Sequence, residues 1–335
     1  MRVFVTGEAG FIGRNLPNSF EKLGHTAVSG LGANMLRTDK GEPCVHSNSR
    51  KQWSKFFEAN EVDLVVHNAA VVGTDVVALN QTESTLTNVA GTHNICLAAR
   101  DADIPVCYMG TSVIYDTPRY QDSVITEESD KNPSTFYGAQ KLSSEYIVKS
   151  TARKWLIMRP LFAYGGIGDM NSLIAKSFFA FKNKKQPIDM FLDPSKKKDY
   201  MHVEDFCDAV ALGCHKQMWG HDFNVSAEEP LSTHEIVDKM SGVCGIDLGY
   251  VMKWHPETDY LGNHLLSSQK FRDATGWEPK YNFDQGLLAS WRSILLGNKD
   301  YNPLEHLEEA SACLLYTSDA ADDMQCVDLG GRRII

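Results

Sequence analysis

Near the middle of the chain, the stretch FYGAQK, Phe136 to Lys141, sets a tyrosine four residues before a lysine. The preceding Asn132-Pro133-Ser134 reads as a helix start, so Tyr137 and Lys141 are expected one turn apart on a single helix face. A free phenol titrates at about 10 and is a poor base at neutral pH. An ammonium beside it favours the phenolate, which gives a proton acceptor with its own activator. The same spacing is usually only a surface contact between neighbouring turns, so its meaning depends on what surrounds it.

Two other stretches supply that context. TGEAGFIG, Thr6 to Gly13, places Gly7, Gly10 and Gly13 directly after an apolar run and directly before a helical pattern. Glycines at that spacing permit a tight turn, let the backbone approach a pyrophosphate, and aim a helix N-terminus at its charge. YMGTSVIYD, Tyr108 to Asp116, ends another apolar run. Thr111 or Ser112 can there donate to an oxyanion, although most loop hydroxyls only satisfy local backbone.

These stretches need a scaffold, and the chain supplies one. Apolar runs at 2–6, 25–29, 62–67, 104–109 and 154–159 alternate with helical patterns, which predicts a doubly wound, Rossmann-type parallel sheet over residues 1–160. From 161 to 312 the rhythm loosens into helices near 171–182, 203–217, 232–241, 267–275 and 283–296, with short strands around DFNVS and YVMKW. This part is expected to form a smaller, partly helical substrate lobe, with later segments returning to the first domain.

Composition narrows the function classes. A chain of 335 residues with 43% hydrophobic and 23% charged content is that of a folded protein with a sizeable core. The formal charge of -10 argues against a large basic face for nucleic acid, so any anion site must be local. No segment has the apolar length of a membrane span, and the opening residues lack a leader pattern, so a cytoplasmic protein is expected. The eight cysteines form no CxxC pair and read as buried thiols; no metal site is expected.

Taken together, the motifs resemble the extended short-chain dehydrogenase/reductase family, in its NAD-dependent nucleotide-sugar epimerase/dehydratase branch, over roughly residues 1 to 297. TGEAGFIG matches the glycine motif, HNAA at 67–70 the segment beside the cofactor, and NVAGT at 88–92 the central-helix motif. Thr111 falls at the catalytic hydroxyl, four residues ahead of Tyr115, and Tyr137 with Lys141 match YxxxK. RPLFAYG, KKKDYMHVEDFCDAV and SSQKFRDATGWEPK resemble the later signatures. The resemblance implies that Gly7, Gly10, Phe11, Ile12, Gly13, Asn68, Ala69, Ala70, Asn88, Tyr137, Lys141, Pro160 and Leu161 contact the cofactor. It also implies that Ser112, Val113, Phe162 and Lys198 face a nucleotide-sugar substrate, with Tyr137 as base, Lys141 as its activator and Thr111 on the oxyanion.

Departures from the pattern shape the finer expectations. AVSGLGANM carries no acidic residue where NAD-binding relatives hold the ribose, and His46 or Ser47 stands where an adenine-side Asp is common. Glu8 inside the turn would repel a 2′-phosphate, so NAD is expected, with NADP the alternative. Lys198 replaces a frequent diphosphate-binding Arg, and Phe162 a frequent substrate-contacting Asn. The acidic pair of dehydratases is absent after Thr111, as is the Cys/His pair of the fucose-synthase type, although AAVVG and GTSVIY look like that branch.

The sequence therefore predicts epimerisation through a transient keto sugar. An NAD(P)-dependent keto-sugar reductase or dehydratase and a non-catalytic dinucleotide sensor are the alternatives. Helices over 80–101 and 134–150 are expected to join two copies into a homodimer. Residues 313–335 share no pattern with the family and read like a translated sequencing adapter, dispensable for folding and activity.

Overall fold

The computed structural model describes residues 1–296 except 31–47, 122, 166–168, 170–171, 183–187, 191, 246–251, 257–258 and 260–261. His46, Ser47, most of AVSGLGANM and the segment 313–335 therefore lie outside the described residues. The first half alternates strand and helix: β1 (Arg2–Thr6), α1 (Phe11–Glu21), β2 (Thr26–Val28), α2 (Arg50–Ala59) and β3 (Leu64–His67). There follow α3 (Thr74–Leu79), α4 (Gln81–Thr85), a π-helical turn (Leu86–Gly91), α5 (Thr92–Asp101), β4 (Val106–Met109), α6 (Phe136–Thr151) and β5 (Trp155–Pro160).

Alternation along the strands divides the core into two layers. Val3 and Val5 of β1 point to the side that packs Leu16 and Phe20 of α1 with Phe206 and Val210. Phe4, between them, points to the other side, against Trp53 and Phe57 of α2 and Ile95 of α5. The strand order is β2-β1-β3-β4-β5-β9, all parallel, with a reversal at β1 that opens a crevice at the carboxyl ends of β1 and β3.

The remaining elements are β6 (Phe162–Tyr164), α7 (Leu173–Lys182), β7 (Ile188–Met190), β8 (Lys197–His202), α8 (Val203–His215), β9 (His221–Val225), β10 (Pro230–Ser232), α9 (Thr233–Cys244), β11 (Met252–Trp254), α10 (Gln269–Thr275) and α11 (Phe283–Leu296). Two small sheets, β10-β8-β6 and β11-β7, pack with α7, α9 and α11 around Phe178, Tyr200, Ile236 and Trp291. The DFNVS strand, expected within this lobe, is instead β9, the sixth strand of the main sheet, and α8 covers that sheet beside α1. The reason is an open edge. β5 needs a partner for its outer row of backbone groups, and a short apolar strand returning after α8 provides it.

Cys96, Cys107, Cys207, Cys214 and Cys244 are buried free thiols, as expected. Among the described residues, no helix is long and apolar enough to cross a membrane, and no cluster of His, Cys, Asp or Glu could hold a metal ion.

Candidate active site

At the end of β1 the chain turns through Gly7 at φ 72°, where only glycine sits without strain. A Cβ on Gly7 would lie 2.9 Å from the Ala69 Cα, and one on Gly13 would lie 1.9 Å from the Gly7 carbonyl oxygen. The turn is closed by Gly10 N donating to Gly7 O at 3.0 Å. Gly10 caps α1 without a side-chain acceptor, and the first turn holds no acidic residue, so the N–H groups of Phe11, Ile12 and Gly13 have no intrahelical acceptor. A glycine cradle under three such donors fits the pyrophosphate of a dinucleotide.

The rear of that cradle is HNAA. Asn68 Nδ2 donates to Gly7 O at 3.3 Å, and Thr6 Oγ1 accepts from the N–H of both Asn68 and Ala69, at 3.1 and 3.0 Å. Thr6 therefore spends its one proton on His67 Nδ1, 2.8 Å away, so that His67 carries its hydrogen on Nε2 and donates to Thr92 Oγ1 at 3.0 Å. Thr92 passes its own proton to Asn88 O at 2.6 Å. Burial, and next the charge of Lys141, depress the His67 pKa to about 3, which matches a fixed neutral ring.

Asn88, expected on the cofactor, is buried and committed to protein. Its Oδ1 accepts from Val71 N at 2.8 Å, and its Nδ2 donates to Val71 O and to Gln140 Oε1 at 3.0 and 2.9 Å. It clamps the loop after Ala70 to α6 across the π-helical turn. Sequence spacing gave the residue but not this role, because Gln140 is distant in the chain.

The helix bearing Tyr137 and Lys141 begins later than Asn132-Pro133-Ser134 suggests. Thr135 is the cap, its Oγ1 accepting from Gly138 N at 3.0 Å. Gly138 is needed where it stands: a Cβ there would be 2.6 Å from the Val113 carbonyl oxygen. That approach presses α6 against the turn Thr111-Ser112-Val113, in which Thr111 is half-buried, Ser112 buried and Thr111 Oγ1 accepts from Val113 N at 3.4 Å. Lys141 is buried, and its Nζ donates to Met109 O at 2.5 Å. Burial, partly countered by Glu145, lowers its pKa to about 7. Tyr137, half-buried, shares the helix face one turn away.

Beneath this group lies a charged network that the motifs do not reveal. Arg159 donates through Nε and Nη2 to the two Glu145 oxygens, each at 2.8 Å, and through Nη1 to the Tyr115 hydroxyl at 3.0 Å; it also pairs with Asp222. The Tyr115 hydroxyl donates to Asn224 at 2.7 Å. Gly110 is the glycine this requires, since its Cβ would fall 2.8 Å from Glu145 Oε1. Pro160 ends β5 beside this network, and Leu161 packs with Ile114 and Tyr115.

Next to Leu161, Phe162 stacks on Tyr200 with centroids 5.2 Å apart, and His264 lies 6.1 Å from its ring. Lys198, expected to meet a diphosphate, is instead 1% exposed and paired with Asp259 at 2.7 Å. A buried ammonium must be paired, and this one is satisfied within the protein. Glu8 accepts from Ser29 Oγ at 3.3 Å, so the turn's carboxylate stands beside the end of β2.

Known proteins resemble the chain over most of its length. A UDP-glucose 4-epimerase of Mycolicibacterium smegmatis is 26% identical over 314 residues, covering 86% of this chain and 96% of that protein. A UDP-glucose 4-epimerase from Thermotoga maritima, solved with UDP-glucose, superposes with a TM-score of 0.74 at 18% identity, covering 89% of this chain and 99% of the other. A dTDP-glucose 4,6-dehydratase from Bacillus anthracis, solved with NAD, gives 0.74 at 20% identity over 94% of this chain and 99% of the other. At such identities the solved structures speak for the fold alone. The family model described as the NAD dependent epimerase/dehydratase family matches residues 3–226. That span runs from the glycine turn through Thr111, Tyr137 and Lys141 to the sixth strand of the sheet, and it makes this chain a member of the NAD dependent epimerase/dehydratase family of enzymes.

Proposed function

We propose that the protein is an NAD-dependent nucleotide-sugar epimerase that works through a transient keto sugar. The observation that carries the reading is the seam between the Thr111 turn and α6, held where Gly138 meets the Val113 carbonyl and where Lys141 bonds Met109 O. It supports placing one hydroxyl donor, one phenol and one ammonium around a single reacting carbon.

In this reading the Tyr137 phenolate takes the proton from a sugar hydroxyl, and its charge is favoured by the Lys141 ammonium. Thr111 donates to the oxygen as charge builds there. Acceptance and return of the hydride is the chemistry NAD supplies when bound. Gly7, Gly10, Gly13 and the N–H groups of Phe11 and Ile12 would hold its pyrophosphate, with Asn68, Ala69 and Ala70 behind. Glu8, beside the end of β2, takes over the position of the missing ribose-side acid and disfavours a 2′-phosphate.

The turn after Thr111 reads Ser112-Val113-Ile114-Tyr115 and holds no carboxylate, which favours re-reduction over elimination of water. Phe162 on Tyr200 gives the pocket an apolar wall against which the keto sugar turns. Two copies join through residues 80–101 and 134–150, where Leu86 and Tyr146 are 42% and 63% exposed.

The test supplies UDP-, GDP-, dTDP- and CDP-sugars to catalytic amounts of enzyme and follows sugar protons by NMR together with absorbance of the reduced nicotinamide. The expected result is an epimer without net cofactor reduction, and about a 10²–10⁴-fold loss of turnover in Tyr137→Phe with NAD binding retained. A stable 4-keto-6-deoxy product, stoichiometric cofactor use, or normal turnover in that variant overturns the reading.

A further inference from the structure

The end of the Lys141 side chain rests in a niche that its own helix does not make. It reaches the carboxyl end of β4, where Nζ bonds Met109 O at 2.5 Å and lies 4.4 Å from the centroid of the Tyr108 ring. The residue is 3% exposed, so water does not solvate the charge. The ionisable groups around it come from four elements. On α6 stand Tyr137 one turn before and Glu145 one turn after; on β3, His67; on β4, Tyr108; and on β5, behind Glu145, Arg159.

His67 is held neutral by Thr6 and Thr92, and both Glu145 oxygens are engaged by Arg159. Among the described residues no carboxylate is therefore hydrogen-bonded to the ammonium, Glu145 acts on it only through its charge, and a carbonyl oxygen and an aromatic face replace its hydration shell. A lysine withdrawn from water loses its proton readily unless something compensates. The negative face of a phenol ring is such a compensation, and it is strongest where water is absent.

We propose that Tyr108 is the positioning residue for Lys141: its ring face keeps the buried ammonium protonated and seated on the Met109 carbonyl. One of the three N–H donors then goes to that carbonyl and one to the ring, and the third has no protein acceptor among the described residues. The inference rests on the reading of Tyr137 and Lys141 given above and adds a residue to it. The low value of about 7 for Lys141 places its charge within reach of such a device.

The experiment replaces Tyr108 by Phe, and then by phenylalanines carrying one to three ring fluorines, which keep the shape and drain the ring face of negative charge. Lysine-selective ¹³Cε/¹⁵Nζ NMR reads the Lys141 titration in each protein, with the resonance assigned by its loss in Lys141→Met. The Tyr108→Phe protein should titrate as the wild type does. Successive fluorines should lower the midpoint, by about one pH unit for the trifluorinated ring. Tyr108→Leu should match or exceed that fall, and the alkaline limb of kcat/KM should follow it while the sugar KM stays fixed. A midpoint indifferent to fluorination overturns the proposal. Because the titration needs no turnover, normal activity in Tyr137→Phe would defeat the catalytic reading while leaving the ring's effect on Lys141 measured separately.

Discussion

The glycine turn and the Lys198–Asp259 pair treat charge in opposite ways. On the sheet side, the Gly7–Gly13 turn presents backbone N–H groups and a helix terminus, and its one carboxylate, Glu8, is not buried, so no ion had to be desolvated in full to build it. On the lobe side, Lys198 and Asp259 were both taken out of water and must satisfy each other. An anion site made of amides is ready for its ligand at no cost in desolvated charge, whereas a buried cation is already occupied. The difference explains why the glycine spacing predicts its local turn directly, whereas an isolated basic residue can be drawn into a pair within the protein.

The comparison can be broken most forcefully at the pair. Asp259→Ala should cost about 3–5 kcal/mol in urea unfolding, because the stranded Lys198 ammonium remains buried. Lys198→Leu combined with Asp259→Leu should recover most of that loss. If the single variant is as stable as the wild type, the pair is not desolvated and Lys198 is open to ligands after all.

A second measurement uses acid. Burial depresses His67 and His202 to about 3 and His264, with Lys198 adding, to about 4, so each is lowered from the ordinary 6.5. Below 6.5 the unfolded chain binds more protons at these three sites, and their stability contribution is lost as pH falls toward those values. Burial raises Asp199 and Asp205 from 3.8 to about 6, which returns stability over the window from 6 down to 3.8. The histidines outnumber the carboxylates, and the protein should be less stable at pH 5 than at pH 7 by up to about 3 kcal/mol. Equal unfolding midpoints in urea at the two pH values would contradict the neutral state of His67, His202 and His264.

On the sheet side, Gly13→Ala drives a Cβ into the Gly7 carbonyl and should weaken NAD binding by about 10–10²-fold in calorimetry, matching an overpacking cost of about 1–3 kcal/mol. Full NAD affinity in that variant would mean that the turn is not the pyrophosphate cradle. The smallest effect expected is at Glu8. Glu8→Gln should reduce the preference for NAD over NADP by about tenfold, and an unchanged ratio would remove Glu8 from cofactor selection.

Much of this was readable from the chain because the informative signals are local. Glycine spacing before a helix, and a tyrosine one turn from a lysine, need only a few consecutive residues to acquire meaning. The start of α6 was less legible, since Asn132, Ser134 and Thr135 all carry capping side chains and only packing selects Thr135. The placement of the DFNVS strand depended on which edge of the sheet stood open. The partners of Lys198 and Arg159 lie 61 and 63 residues away, at Asp259 and Asp222, and no periodicity announces such pairs. Asn88 shows the intermediate case, with its motif recognised and its mechanical role visible only once Gln140 is brought beside it.

The late arrival of β9 sets an order of events during synthesis. Thr111, Tyr137 and Lys141 leave the ribosome well before Asp222 and Asn224, which complete the bonding of Arg159 and Tyr115. Until residue 225 has emerged, the nascent first half must carry a guanidinium missing one of its two acid partners and a sheet with β5 exposed as a bare edge. That is the stage at which a growing chain is most open to wrong pairing or capture by a chaperone. The residues proposed for the chemistry are thus translated early, while the strand that seals the floor beneath them is supplied about eighty residues after Lys141.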